Sequence, residues 1–188
     1  MKRIALLSLS ALVFALTSCV PSLHPLYTAE DLTFDPKLVG KWSQADPSDS
    51  WEFTKAGKIS YLLVYTDKEG KKGDFKANLF KLGEHRFLDL YPDDGALDRA
   101  EAPHLYKFHV QPMHTLARID SIGPTLVMGF MSPDWIKETL QKNPETICHE
   151  NIRNRILLTA PTKDLQAFVK KHADGEGMFG RPMDLLRE

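Results

Sequence analysis

KISYLLVYTDKEGKKGDFKANLFKL, residues 58–82, decides the architecture. In its first part, 58–66, a two-residue period places Ile59, Tyr61, Leu63 and Tyr65 on one face of an extended segment. In its last part, 73–82, the same period places Phe75, Ala77 and Leu79 together. Residues 67–73 between them carry Gly70 and Gly73 among charged side chains, so the two runs close as a hairpin. Links this short exclude parallel crossovers, which need a dozen or more residues, and point to an antiparallel all-β domain.

The pattern continues on both sides. Aromatic and branched runs at 38–43, 50–54, 85–91, 104–111, 115–122 and 125–131 are separated by turn signals such as 55–57 and Gly123 with Pro124. With the central hairpin they make eight strands in succession. In the run 104–111, Tyr106, Phe108 and Val110 share a face with His104. The one long connection, 92–103, is acidic at Asp93, Asp94, Asp98 and Glu101. It lacks the alternate-position ligands and terminal glutamate of an EF-hand, so it reads as a solvated loop. The period then changes. Ser132 suits an N-cap, Pro133 suits the first helical position, and Ile136 with Leu140 fall four apart, which predicts a helix over 133–142 ended by Asn143 and Pro144. A ninth strand is expected over 153–159. Pro161 then opens a second helix with Leu165, Phe168, Val169 and His172 on one side. Gly175, Gly177, Gly180 and Pro182 predict a loose tail over 175–188.

The amino end gives an address. Lys2 and Arg3 precede an apolar run over 4–16, shorter than the roughly 20 residues of a spanning helix, as in a secretory signal peptide. Leu16, Thr17, Ser18 and Cys19 resemble the bacterial lipobox, which implies a mature chain that starts at a lipid-modified Cys19. Val20 stands where an aspartate would imply inner-membrane retention, so the resemblance implies the outer membrane, facing the periplasm. The expected organisation is a signal peptide at 1–18, a lipidated tether at 19–36 bearing Pro21, Pro25 and Pro36, a β-barrel domain with helices at 37–174, and the tail at 175–188. Without Lys2 and Arg3 the mature part holds 22 basic against 25 acidic residues, and no basic patch suggests a nucleic-acid partner. A lipidated Cys19 leaves Cys148 without a partner, which excludes a disulfide within the mature chain and suits a small core residue better than a nucleophile. The neighbouring His149 would point to the opposite face of an extended segment.

Gly40, Lys41 and Trp42, preceded by Leu38 and Val39, resemble the Gly-x-Trp signature that opens lipocalin-type barrels. The resemblance implies a tryptophan that plugs the closed end of the barrel, with a late-strand arginine across it, a part open to Arg153 or Arg155. It also implies eight meandering strands, a helix and a ninth strand. The fold class expected is therefore mainly β, an antiparallel meander of eight to nine strands forming a lipocalin-like barrel with two short C-terminal helices. An open sheet or sandwich is the alternative. The run 24–159 also resembles uncharacterised bacterial lipoproteins, which implies a location and no activity.

An aromatic interior lined by Tyr61, Tyr65, Phe75, Tyr106 and Phe108 would suit a small apolar ligand or an envelope lipid. A barrel filled by its own side chains would instead suit a non-enzymatic accessory subunit of the envelope. No catalytic residue emerges: there is no Gly-x-Ser-x-Gly elbow, and Arg118 with Asp120 reads as a structural pair. No metal site and no cofactor are expected. The membrane, reached through the lipid on Cys19, is the one partner the sequence implies besides such a ligand.

Overall fold

A computed structural model describes residues 19–44, 49–99 and 101–188 of the chain. The expected signal peptide, 1–18, lies outside the described residues. In chain order the elements are β1 (Pro21–Ser22), β2 (Gly40–Ser43), β3 (Ser50–Ala56), β4 (Ser60–Thr66), β5 (Lys72–Leu82), β6 (His85–Pro92), α1 (Asp94–Arg99), α2 (His104–Phe108), β7 (His114–Ile122), β8 (Thr125–Phe130), α3 (Pro133–Lys142), β9 (His149–Ile152), β10 (Arg155–Leu158), α4 (Thr162–His172) and β11 (Met183–Arg187). Strands β2 to β8 run as an antiparallel meander, and β11 pairs with both β8 and β2 to close an eight-stranded barrel. The opening hairpin forms in the expected register, with Leu63 opposite Phe75 and Tyr61 opposite Ala77.

One of the eight expected barrel strands is replaced, and a segment expected as a loose tail supplies the eighth. Residues 104–111 do not form a strand: 104–108 is the short helix α2, and β6 pairs directly with β7, with Leu90 opposite Thr115. That pairing leaves no slot for another strand between them, and Pro103 and Pro112 bracket the segment with residues that cannot donate to a ladder. The vacant place is taken by the tail. Leu185 is fully buried in the barrel core and Met183 packs against it, so residues 183–187 supply the eighth strand instead of trailing loosely.

Alternation along the wall strands creates two cores. On β5 and β6, Ala77, Leu79, Leu88 and Leu90 face the barrel interior with Trp42, Phe53, Leu63 and Met128. Phe80, Leu82 and Phe87 face outward into a second cluster with Ile136 and Leu140 of α3 and Leu165, Phe168 and Val169 of α4. Each such side chain, once fully buried, contributes about 1.5–3 kcal/mol. Helix α3 starts as expected, with the Ser132 side chain accepting from the Trp135 N–H at 3.3 Å. The expected ninth strand is one arm of a hairpin, β9 with β10, turned by Arg153 and Asn154 at positive φ.

The expected tether is part of the folded body. Val20 and Ser22 are buried, and β1 pairs with β7 on one side and β10 on the other. Leu26 packs in the outer core, the Thr162 hydroxyl donates to the Pro25 carbonyl at 2.8 Å, and Gln166 donates to Leu26 and Asp31. Leu32 then bridges to Phe80, where β5 has outrun its pairing with β4. The proline-rich composition read as a linker is here a strap across the barrel wall.

Candidate functional site

At one end of the barrel, Trp42 is completely buried and its indole N–H donates to the Leu38 carbonyl at 2.9 Å. The guanidinium lying over its ring, 4.2 Å from the centroid, belongs to Arg187 on β11, not to Arg153 or Arg155, which sit at the β9–β10 turn outside the barrel. Arg187 also donates to the carbonyls of Val39 and Lys37. Gly40 is required here. A Cβ at that position would stand 2.5 Å from the Arg187 guanidinium, and its φ of +140° is one that other residues rarely adopt. The Gly-x-Trp spacing thus builds a seam that staples β11 to the start of the meander.

Three of the five aromatic residues expected to line the interior reach the barrel core. Tyr61 is completely buried, its ring stacks 4.9 Å from Phe34, and its hydroxyl accepts from the Asp35 N–H at 2.7 Å and donates to the Asp35 carbonyl at 3.0 Å. Tyr65, 4.9 Å from Trp51, and Phe75, whose ring lies over Gly73, are partly buried at the margin of the same core. Tyr106 and Phe108 are elsewhere, on α2, 63% and 79% exposed. Burial raises the Tyr61 and Tyr65 phenols above their ordinary values, so both stay neutral donors. Cys148 is exposed, so its expected burial does not occur.

Outside the barrel wall, beneath the strap, lies a polar group that sequence reading did not single out. Asp89 on β6 is fully buried, and its Oδ1 is 2.8 Å from Nδ1 of His114 on β7. The His114 ring packs 4.5 Å from Tyr91, while Asn78, opposite Asp89 in the ladder, donates to the Tyr27 hydroxyl at 2.9 Å. Among the described residues, Asp89 Oδ2 has no hydrogen-bond partner. Burial pushes the Asp89 carboxyl up, against the opposing pull of His114 and the nearby Leu26 amide. Ser22 faces His114 across the β1–β7 ladder, but its hydroxyl donates to the His24 carbonyl at 2.5 Å, so Ser, His and Asp do not form a relay. The one hint in the sequence was a carboxylate between Leu88 and Leu90, in a run otherwise apolar.

The open concavity of interest is apolar and also lies outside the barrel. A cleft of about 450 Å³ is bounded by Pro21, Val110, Pro112, Met113, Ile152 and Leu157. Cys19 lies close by, half-buried, in a smaller cavity of about 160 Å³ that shares Arg155 and Ile156 with the cleft. Among the described residues, no group of three or more His, Cys, Asp or Glu side chains could hold a metal ion, and no helix is long and apolar enough to cross a membrane.

No protein-family model, curated protein or solved structure matches this chain.

Proposed function

We propose that this is a lipid-anchored protein of the bacterial cell envelope, held at the outer membrane through Cys19, that acts without catalysis as an accessory subunit. Its barrel is a rigid body and its surface does the work. The observation that carries this reading is the filled interior: Trp42, Phe53, Leu63, Leu79, Leu88 and Met128 are all 0–1% exposed. An apolar ligand inside the barrel would have to displace these side chains and forfeit their close packing. The apolar surface left open, by contrast, is on the outside, in the cleft and on α2. The buried Asp89–His114 pair supports a structural rather than a catalytic role, since Asp89 is fully buried and the Ser22 hydroxyl beside it is turned to the His24 carbonyl. The lipobox-like sequence supports the anchor, and the half-buried Cys19 at the rim of the folded body supplies a fixed point of attachment.

The test is mass spectrometry of the protein purified from a host that processes lipoproteins. The intact mass is expected to show loss of residues 1–18 and gain of a diacylglyceryl group on Cys19, and the native mass to show no further bound lipid. A chain that keeps Met1 and carries no lipid overturns the anchor. A noncovalent lipid held one-to-one overturns the filled body in favour of a carrier.

A further inference from the structure

We propose that the apolar cleft and helix α2 form the face of this protein that lies on the bilayer, with Phe108, Tyr106, Leu105, Val110 and Ile152 entering the headgroup layer and Arg153 and Arg155 pairing with lipid phosphates. The inference rests on the anchored reading for its orientation and adds the surface through which the body meets the membrane.

The geometry of attachment comes first. Cys19 is three residues from Ser22, Val20 and Ser22 are buried, and β1 is held by strands on both sides. There is no slack. A lipid on Cys19 therefore draws the rim around it onto the membrane, whereas a flexible tether would let the body turn freely. That rim continues into the cleft: Arg155 and Ile156 line both the Cys19 cavity and the cleft, and Pro21 lines the cleft itself.

The composition of this face fits an interface. Leu105, Tyr106 and Phe108 are 72%, 63% and 79% exposed, and the chain runs from them through Val110 into the cleft wall, where Ile152 faces it from β9. Leu105 and Phe108, three apart, share one side of α2. Large apolar side chains gathered in this way mark a contact surface, and aromatic residues favour the headgroup region of a bilayer. Charge agrees. Arg153 and Arg155 at the hairpin turn, and Lys137 and Arg181 beside Cys19, are exposed and make no ion pair among the described residues. The carboxylate lining the Cys19 cavity is Asp134, and Glu150 lies on β9. Basic side chains placed around an apolar patch are what an anionic lipid surface attracts.

The experiment uses full-length protein, made in a lipoprotein-processing host and reconstituted into phosphatidylglycerol–phosphatidylcholine vesicles. On a Cys148→Ser background, a polarity-sensitive fluorophore is placed at Phe108→Cys, at Ile152→Cys and, as a control, at Glu84→Cys, whose side chain is 94% exposed on the turn between β5 and β6. Quenching by lipid-borne nitroxide is expected to be roughly twofold or more stronger at the first two sites than at the control. Arg153→Glu with Arg155→Glu is expected to reduce that quenching on the anionic vesicles and to leave it unchanged on pure phosphatidylcholine. Probes at Phe108 and Ile152 that stay in water overturn the proposal and leave the patch to a protein partner. The mass at Cys19 in the same sample then tells whether the anchor falls with it.

Discussion

Asp89 shows what a single side chain can cost and constrain. It occupies a fully buried position on the outer side of β6, with one oxygen on His114 and the other unpaired among the described residues. Because burial raises its folded value, the folded chain holds this proton more tightly than the unfolded chain does. Stability therefore falls as the pH rises from the ordinary carboxylate value of about 3.9 through the raised one. Asp89→Asn keeps an acceptor for His114 and removes the ionisation. The melting temperature of the variant relative to the native chain is expected to climb as pH increases across that range, and equal pH profiles would show that Asp89 does not titrate in the fold. The sequence revealed an acid in an apolar run, but not that it would lie under a strap, because the strap was read as a tether.

Helix α4 packs on the barrel wall through Leu165, Phe168 and Val169, as its spacing predicted, and it meets α3 through an aromatic group. The His172 ring lies 5.3 Å from Trp135 and 4.9 Å from Phe168, and its Nε2 is buried without a hydrogen-bond partner among the described residues. Burial, reinforced by Lys171, lowers its folded value. The stability this lends is complete above the ordinary histidine value of about 6.5 and is lost as the pH falls from there through the lowered one. His172→Phe fills the same space without a proton site. Chemical denaturation at pH of about 5 and 8 is expected to show the native chain weakening on the acid side and the variant changing much less. Both helices were legible because a 3.6-residue period and capping residues are local signals. The segment 104–111 was misread because its alternation is equally local, while the pairing of β6 with β7 that displaces it is not.

For the whole molecule, closure rests on the last residues of the chain. β11 fills the gap between β8 and β2, and Arg187 is bound over Trp42 with its guanidinium against backbone carbonyls of the strap's end. Arg187→Ala is expected to destabilise the fold by about 1–2 kcal/mol in denaturant titrations, with Arg187→Lys failing to restore it and Arg153→Ala neutral. Truncation after Pro182 is expected to be far worse, leaving two open strand edges and a protein that elutes as aggregate in size-exclusion chromatography. An unchanged Arg187→Ala protein would mean that the indole needs no cover. The alternating apolar runs and short turns determined by themselves that this chain is a mainly antiparallel β-protein with two late helices, since side-chain period and turn chemistry act within a few residues, whereas Gly40 with Trp42 pointed to the barrel's start only through a resemblance. Only the tertiary structure decided which strand closes the barrel, which arginine covers the tryptophan, and that the proline-rich amino end is bound to the wall. Those outcomes depend on which edges and surfaces remain unfilled once the other strands have paired, and that is settled between residues as distant as Trp42 and Arg187.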